Sequence, residues 1–253
     1  MTETILAVKN VSKYFSLEQG KFMRQKSRVL ALDRVNFSVE EFDTLGIVGE
    51  SGSGKTTLAK IILKLILPDS GESVFNLDKI RNFRKDTQII FQNPYSSLNP
   101  KMRILDIISE PLLIHKIVAR KKARDKVAAL LEMVGLEDSV LNRFPIEFSG
   151  GQRQRICIAR ALASEPKFIV LDEPISSLDL TVQAKILELF LALKDKFKLT
   201  YIFISHNLAV VKHLADKVLV MKNGKILEQA SSREIFSSPR HPYTRLLLES
   251  ARA

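Results

Sequence analysis

The sequence has no tryptophan, a single cysteine and aromatic residues at only 7% of its length. Because Cys157 stands alone, a disulfide within the chain and a metal site built on cysteines are both excluded. No apolar run approaches the roughly 18 residues that a transmembrane helix needs. The first ten residues also lack the basic and apolar segments of a secretory signal. We therefore expect an ordinary globular chain that does not cross a membrane by itself.

Basic residues outnumber acidic ones, 39 against 28, which gives a formal net charge of +11. Such an excess can attract nucleic acid, anionic lipid or a polyanionic ligand. The basic residues are dispersed except for one short run at 119–124, which is typical of a solvated helix face. The net charge therefore does not identify the binding partner. A hydrophobic content of 45% is enough for a substantial core.

The order of strand-like and helix-like segments predicts a mixed α/β protein. Apolar and β-branched residues at 5–15 and 29–39 predict strands, and the polar, basic stretch between them, 16–28, predicts an exposed loop. A buried strand at 43–49 runs into a glycine-rich turn. After that turn, apolar residues recur with helical spacing from Leu58 to Ile66, which predicts one face of a helix.

The middle of the chain differs from its two ends. Residues 94–152 show helical periodicity and no convincing strand, so we interpret them as a helical subdomain inserted into an α/β core. That core would comprise residues 1–93 and 153–253, within a single domain of 253 residues. Asn223 and Gly224 suit a tight hairpin turn, and the stretch 231–253 predicts one or two short helices.

The stretch from Gly49 to Thr56 fits the pattern G-x-x-x-x-G-K-[ST] of a phosphate-binding loop. Its glycines let successive N–H groups point at phosphate oxygens, and the following helix adds its positive end. In such a loop Lys55 reaches the β- and γ-phosphates, and the Thr56 hydroxyl binds Mg²⁺. The residues expected to bind ATP here are Gly49, Glu50, Ser51, Gly52, Ser53, Gly54, Lys55, Thr56 and Thr57.

A second candidate site lies where an apolar strand at 168–171 runs into Asp172 and Glu173. A carboxylate at the end of such a strand can hold Mg²⁺ beside a phosphate loop, which predicts that role for Asp172. Glu173, one residue later, is suited to orient or deprotonate an attacking water. Together with the phosphate loop, this acidic pair predicts hydrolysis of ATP.

The run Ser149-Gly150-Gly151-Gln152, followed by Arg153, resembles the signature motif of ABC ATPases. It stands between the phosphate loop and the acidic strand, as in that family, and the resemblance covers essentially the whole chain. It implies a P-loop NTPase (RecA-like) core with an N-terminal antiparallel β subdomain and an inserted α-helical subdomain. It also implies that two subunits enclose ATP, each reaching the other's nucleotide through Ser149, Gly150, Gly151, Gln152 and Asp179.

The same resemblance assigns further positions one by one. Tyr14 is similar to the aromatic residue that stacks on adenine, although Phe15 is a neighbouring alternative and a plain core aromatic is another. Gln92 resembles the glutamine that senses Mg²⁺ and water, and His206 resembles the histidine that hydrogen-bonds the γ-phosphate. The implied catalytic set is Glu173, His206, Gln92 and Lys55, and the implied Mg²⁺ ligands are Thr56, Gln92 and Asp172.

Two stretches, 91–100 and 238–248, resemble the ATPases of oligopeptide, dipeptide and nickel importers. Many of those ATPases carry a cysteine-rich tail for an iron–sulfur cluster, so a chain with one cysteine resembles the short form. The resemblance implies a peptide importer at the cytoplasmic face of the cell membrane. Its implied partners are a second ATPase, two transmembrane permeases and an extracytoplasmic substrate-binding protein. A paralogue is favoured as the second ATPase, with an identical subunit as the alternative.

Other functions remain open at this point, among them export in place of import and nucleotide sensing without hydrolysis. Nickel or another small ligand is an alternative cargo for the same branch of transporters. A soluble ABC-type ATPase acting on nucleic acid or ribosomes is an alternative of another class. Such proteins usually contain a fused second ATPase domain, a coiled coil or a zinc module, none of which this sequence has, so we expect no nucleic-acid partner.

Overall fold

The computed structural model describes residues 3–18 and 26–250. Internal contacts divide the chain into two compact units, the first formed by Met1–Lys79 with Thr200–Ala253 and the second by Ile80–Leu199. The helical segment expected at 94–152 falls within the second unit. That unit is wider than the expected subdomain, and the borders at 94 and 152 stay a prediction.

The described residues form strands and helices that alternate along much of the chain. The strands are β1 (Thr4–Glu18), β2 (Lys26–Glu40), β3 (Thr44–Val48), β4 (Ser70–Phe75), β5 (Thr87–Ile90), β6 (Phe168–Asp172), β7 (Thr200–Ile204), β8 (Lys217–Lys222) and β9 (Lys225–Ser231). The helices are α1 (Lys55–Ile62), α2 (Phe83–Asp86), α3 (Pro94–Ser97), α4 (Ile104–Ile114), α5 (Ala123–Met133), α6 (Gly150–Ala163), α7 (Leu180–Phe197), α8 (Leu208–Leu214), α9 (Ser232–Ser237) and α10 (Pro242–Ser250). Short 3₁₀ turns lie at Arg120–Lys122, Asp138–Val140 and Pro145–Glu147.

An antiparallel sheet in the first unit has the strand order β2-β1-β4. It confirms the strands predicted at 5–15 and 29–39. The prediction of a loop over all of 16–28 is wrong, because β1 continues to Glu18 and β2 begins at Lys26. Backbone pairing extends both strands beyond their apolar residues, and the middle of that stretch lies outside the described residues.

The β1–β2 ladder is irregular, with several register shifts between its paired residues. Asn10 and Arg34 both have a φ of 49°. At these positions side chains replace part of the ladder: the Asn10 N–H donates to Asn36 Oδ1 at 2.9 Å, and the Arg34 N–H donates to Ser12 Oγ at 3.0 Å. The bulges therefore bend the ribbon without leaving these backbone groups unpaired.

A second set of strands in the first unit carries its buried core. β3 pairs in parallel with β7 and β8, and β9 returns antiparallel to β8 through the Asn223–Gly224 turn. Every residue of β3 and β7 is buried, as expected for parallel strands covered on both faces. At Gly46 a Cβ would lie 2.5 Å from Val211 of α8, so glycine permits the close packing of helix on sheet.

Helix α1 is shorter than the sequence predicts. The apolar spacing extends to Ile66, whereas the helix ends at Ile62. Lys64 has a φ of 54°, and the Leu65 N–H turns back to the Lys60 carbonyl oxygen at 2.8 Å. Leu65 is consequently 46% exposed, so its predicted place on the buried helix face is wrong.

The second unit combines the parallel pair β5–β6 with several packed helices. Between α3 and α6 the chain is helical or irregular and forms no strand, in agreement with the helical character expected there. Apolar residues such as Ile108 of α4, Val127 of α5 and Ile156 of α6 are fully buried. Together with the antiparallel sheet of the first unit, these elements confirm the predicted mixed α/β fold class.

Two features are absent from the described ranges. None of the helices there is both long enough and apolar enough to cross a membrane. The same residues contain no group of three or more His, Cys, Asp or Glu side chains that could hold a metal ion.

Candidate functional site

The loop between β3 and α1 curls around the side chain of Lys55. The Lys55 Nζ donates to the carbonyl oxygens of Gly49 at 2.7 Å and Glu50 at 2.8 Å, and lies 3.3 Å from Ser53 Oγ. Lys55 is only 5% exposed. Gly52 and Gly54 have φ values of 81° and 103°, which glycine adopts without steric cost. The sequence therefore folds here into a tight turn whose backbone N–H groups can line an anion site.

Neighbouring backbone segments press closely against this loop. A Cβ at Gly49 would lie 2.2 Å from the Met221 carbonyl oxygen, and one at Gly54 would lie 2.5 Å from that of Ala31. The Gly224 N–H donates to the Ser53 carbonyl oxygen at 3.0 Å. The glycines are thus needed both for conformation and for space, and the loop is held from outside as well as by Lys55.

Thr56 and Thr57 lie in the first turn of α1, and the Thr56 side chain is exposed. The helix begins directly after Gly54. Its first N–H groups therefore continue the row of donors presented by the loop.

His206 follows β7 at the same end of the sheet as the phosphate loop. Ile204 pairs with Ile47, and the Ser205 N–H donates to the Ile47 carbonyl oxygen at 3.2 Å. Gly49 and His206 therefore leave two neighbouring parallel strands at their carboxyl ends. Ligand sites of α/β proteins collect at such ends, and the roles of Gly49 and His206 in binding a nucleotide stay a prediction.

Tyr14 lies on β1 with 45% of its surface exposed. Its N–H donates to Asp69 Oδ2 at 2.7 Å, and Lys13 Nζ lies 3.4 Å from the same oxygen. Both contacts lower the pKa of Asp69 below its ordinary value, and the hydrogen bond from the Tyr14 N–H is the larger cause. Phe15 points to the opposite face and is 41% exposed. Both rings are accessible, so the choice between them stays a prediction.

In the second unit, Gln92 and Asp172 leave adjacent strands at the same end. Ile90 of β5 pairs with Leu171 of β6, and each predicted residue follows within two positions. Asp172 is buried at 5% exposure, whereas Gln92 is exposed. The Ser177 hydroxyl donates to the Gln92 carbonyl oxygen at 3.4 Å, which links this turn to the segment that precedes α7.

Glu173 has an unusual backbone that the sequence did not predict. Its φ of 49° lies in the left-handed region, although the residue is not glycine and precedes Pro174. The Ser176 N–H and hydroxyl both donate to its carbonyl oxygen, at 3.3 and 3.1 Å. Such strain is concentrated at functional positions, and the catalytic role of Glu173 stays a prediction.

Ser149 begins α6 with a reciprocal cap. Its hydroxyl accepts from the Gln152 N–H at 3.3 Å, and its own N–H donates to Gln152 Oε1 at 3.0 Å. This capping box fixes the start of the helix. A Cβ at Gly151 would lie 2.6 Å from Val182 of α7, so glycine lets the two helices approach each other.

Asp179 caps the next helix. Its carboxylate accepts from the Val182 N–H at 2.9 Å, one turn into α7. Because Val182 also touches Gly151, the predicted residues of the signature and Asp179 belong to one cluster at the starts of α6 and α7.

Arg153, just after the signature, makes contacts that sequence reasoning missed. Its Nε donates to the Pro145 carbonyl oxygen at 2.6 Å, and Nη2 donates to that of Ile146 at 2.9 Å. The guanidinium carbon lies 3.6 Å from the ring centroid of Tyr95. The one signal in the sequence was that Tyr95 lies in the stretch 91–100, which resembles peptide-importer ATPases. That resemblance does not indicate that Tyr95 contacts Arg153.

Comparison with known proteins agrees with this geometry. A model of the ABC transporter family matches residues 32–176. The chain is 49% identical to the oligopeptide transport ATP-binding protein OppF of Streptococcus mutans, over 99% of this chain and 83% of that protein. It is 45% identical to the corresponding protein AppF of Bacillus subtilis, over 98% of this chain and 78% of that protein.

Among solved structures, the fold resembles the ATP-binding cassette MJ0796 in a dimeric post-hydrolysis state bound to ADP and Pi. The TM-score is 0.77 at 28% identity, covering 90% of this chain and 99% of that one. The phosphate loop and the strand that ends in Asp172 both lie inside the region matched by the family model. The chain therefore belongs to the ABC transporter family and is one of its ATP-binding, ATP-hydrolysing cassettes.

Proposed function

We propose that this chain is the ATP-hydrolysing subunit of an importer for oligopeptides or dipeptides. The observation that carries the proposal is its similarity to oligopeptide and dipeptide transport ATP-binding proteins, at 43–49% identity over nearly the whole chain. Of the cargoes left open by the sequence, these relatives favour peptides over nickel. The three relatives at 43–49% identity named OppF, AppF and DppF are all described as transport ATP-binding proteins.

The phosphate loop is the proposed site of the nucleotide's phosphates. Lys55 exchanges its contacts with the Gly49 and Glu50 carbonyl oxygens for contacts with the β- and γ-phosphates. Gly49, Glu50, Ser51, Gly52, Ser53, Gly54, Thr56 and Thr57 supply backbone donors and hydroxyls. Tyr14 is proposed to stack on the adenine.

Thr56, Gln92 and Asp172 are the proposed Mg²⁺ ligands, because their side chains offer the hydroxyl, carbonyl and carboxylate oxygens that this ion prefers. Mg²⁺ bound there would neutralise charge on the phosphates. Asp172 supplies a carboxylate at the carboxyl end of β6.

Glu173 is the proposed general base, and His206 the proposed donor to the γ-phosphate. The backbone of Glu173 is fixed by its turn with Ser176, which orients the carboxylate before substrate arrives. His206 follows the strand next to the phosphate loop. A histidine can donate a hydrogen bond in either protonation state, so this role requires no pKa shift.

The signature at the start of α6 is proposed to act on the nucleotide of a second ATPase subunit. Ser149, Gly150, Gly151 and Gln152 present backbone N–H groups at a helix start, which favours anions. Asp179 is the proposed contact of α7 with that subunit. The dimeric state of the similar cassette MJ0796 supports this arrangement. A paralogue is proposed as the partner, with an identical subunit as the alternative.

The remaining partners are proposed from the importer assignment. Two transmembrane permeases would hold the chain at the cytoplasmic face of the membrane as a peripheral subunit, and an extracytoplasmic binding protein would deliver the peptide. No nucleic acid is required.

Uptake of a toxic peptide by cells carrying the wild-type chain, against cells carrying Lys55→Ala, tests this function. We expect the variant cells to become resistant, while nickel uptake is unchanged. Affinity purification of the tagged chain should also recover two permeases. Continued peptide sensitivity, or recovery of ribosomal proteins in place of permeases, would contradict the transport function.

A further inference from the structure

Tyr243, in the distinctive stretch 238–248, reaches the phosphate loop from a distant part of the chain. The Glu50 N–H donates to its hydroxyl oxygen at 3.4 Å. Tyr243 is only 6% exposed. No functional assignment above uses this contact.

The contact falls on a peptide group that is also held from its other side. The peptide linking Gly49 to Glu50 presents its N–H to Tyr243 and its carbonyl oxygen to Lys55 Nζ at 2.7 Å. Lys55 is the side chain that moves its bonds to phosphate when a nucleotide binds. Once Lys55 has moved to the phosphates, the hydrogen bond to Tyr243 is the one of these two contacts that still orients the Gly49–Glu50 peptide.

The start of α10 is anchored so that Tyr243 stays in place. Glu228 of β9 accepts from the Arg240 N–H at 2.8 Å and the His241 N–H at 3.0 Å. His241 Nδ1 accepts from the Tyr243 N–H at 3.1 Å. Two of these hydrogen bonds hold the segment before α10 on the sheet, and the third joins His241 to Tyr243 within that segment.

The ring of Tyr243 is fixed as well. Lys222 Nζ lies 4.1 Å from its centroid, a favourable cation–π distance. Lys222 precedes the turn at Gly224, whose N–H donates to the Ser53 carbonyl oxygen. Burial raises the pKa of Tyr243, so the phenol is protonated at neutral pH and can both accept and donate.

We propose that Tyr243 is a positioning residue, whose hydroxyl holds the Gly49–Glu50 peptide in the orientation that binds nucleotide phosphates. The inference rests on the proposed function of the phosphate loop. It gives the His-Pro-Tyr-Thr segment at 241–244 a role within this chain, as a brace for the loop.

The test is calorimetric titration of the full chain with ADP and Mg²⁺, which avoids turnover. Tyr243→Phe removes the hydroxyl and keeps the ring under Lys222. We expect ADP to bind about three- to tenfold more weakly, the value of one net hydrogen bond. The KM for ATP should rise by a similar factor while kcat at saturating ATP is unchanged, since this contact supports binding alone. Lys222→Met should produce a smaller loss in the same direction.

Tyr201→Phe is the matched control. It removes another buried phenol, at the opposite end of β3, where Tyr201 pairs with Thr44. We expect unchanged ADP affinity there, whatever its effect on stability. Unchanged affinity in Tyr243→Phe, or an equal loss in Tyr201→Phe, overturns the inference and leaves the proposed function intact. Failure of the wild-type chain to bind ADP would overturn both.

Discussion

Glu173 combines a proposed catalytic carboxylate with a left-handed backbone, and the two properties can be separated by substitution. Glu173→Gln and Glu173→Gly both remove the carboxylate, but only glycine adopts a φ of 49° without steric cost. We expect the glycine variant to be more stable than the glutamine variant by about 1 kcal/mol. Urea unfolding measures the difference, and both variants should lack turnover. Equal stabilities would show that the turn stores no strain.

Cys157 is the one thiol of the chain, and the interior shields it. It is 4% exposed, and burial raises its pKa to about 11. Roughly one thiol in a thousand is therefore ionised at pH 8, and the thiolate is the reactive form. We expect slow modification of the native protein by a charged disulfide reagent, with a rate that still rises with pH above 9.

The control for this prediction is the same chain in urea. Its exposed thiol should react fast, and its rate should level off once the pH passes the ordinary thiol pKa of about 8.5. A native rate that levels off at the same pH would mean that Cys157 reacts only through local opening.

Among the secondary-structure elements, α7 ends at a position whose left-handed backbone favours glycine, although lysine occupies it. Lys198, its C-cap, has φ and ψ of 53° and 49° and is exposed. Glycine is preferred at such left-handed helix ends. Lys198→Gly should therefore stabilise the protein by about 0.5–1 kcal/mol in thermal or urea unfolding.

Lys196→Gly provides the comparison for α7. It introduces glycine two residues earlier, within the last helical turn, where it should destabilise by up to about 1 kcal/mol. If both variants shifted stability in the same direction, the left-handed cap would not be the cause.

Most elements could be predicted from sequence because their patterns are local. The buried runs of β3 and β6 needed no knowledge of their neighbours. β4 was missed because its residues are mostly exposed and polar, and pairing with β1 is what makes it a strand. The end of α1 was missed for a similar reason, since a backbone reversal at Lys64 overrides the apolar spacing.

At the scale of the whole molecule, some features of the candidate site follow from a local motif, whereas others depend on contacts between distant parts of the chain. The pattern from Gly49 to Thr56 predicted the curled loop. No local signal linked it to Tyr243, which lies 193 residues away from Glu50 in sequence. The stack of Arg153 on Tyr95 is likewise a contact between distant segments, so a single sequence could not reveal it.

The proposed assembly of two ATPase subunits predicts a mass change on nucleotide binding. Glu173→Gln should retain ATP without hydrolysing it, so ATP and Mg²⁺ should produce a dimer in gel filtration with light scattering, whereas ADP should not. Adding Ser149→Arg should abolish that dimer, because a large cation replaces the helix cap at the proposed interface, while each chain still binds ATP. A monomer with near-normal hydrolysis in Glu173→Gln would contradict the role of Glu173.

The irregular ladder of β1 and β2 has a consequence for solubility. Long, regular strands at the edge of a sheet act as templates for other chains and promote aggregation. Here β2 is an outer strand of its sheet, but it bends at Arg34, and Asn36 turns its amide inward to Asn10 and to the Arg34 carbonyl oxygen. A second molecule would meet a ladder broken at that point. We therefore expect the bulge at Arg34 to disfavour edge-to-edge pairing of a second molecule along β2.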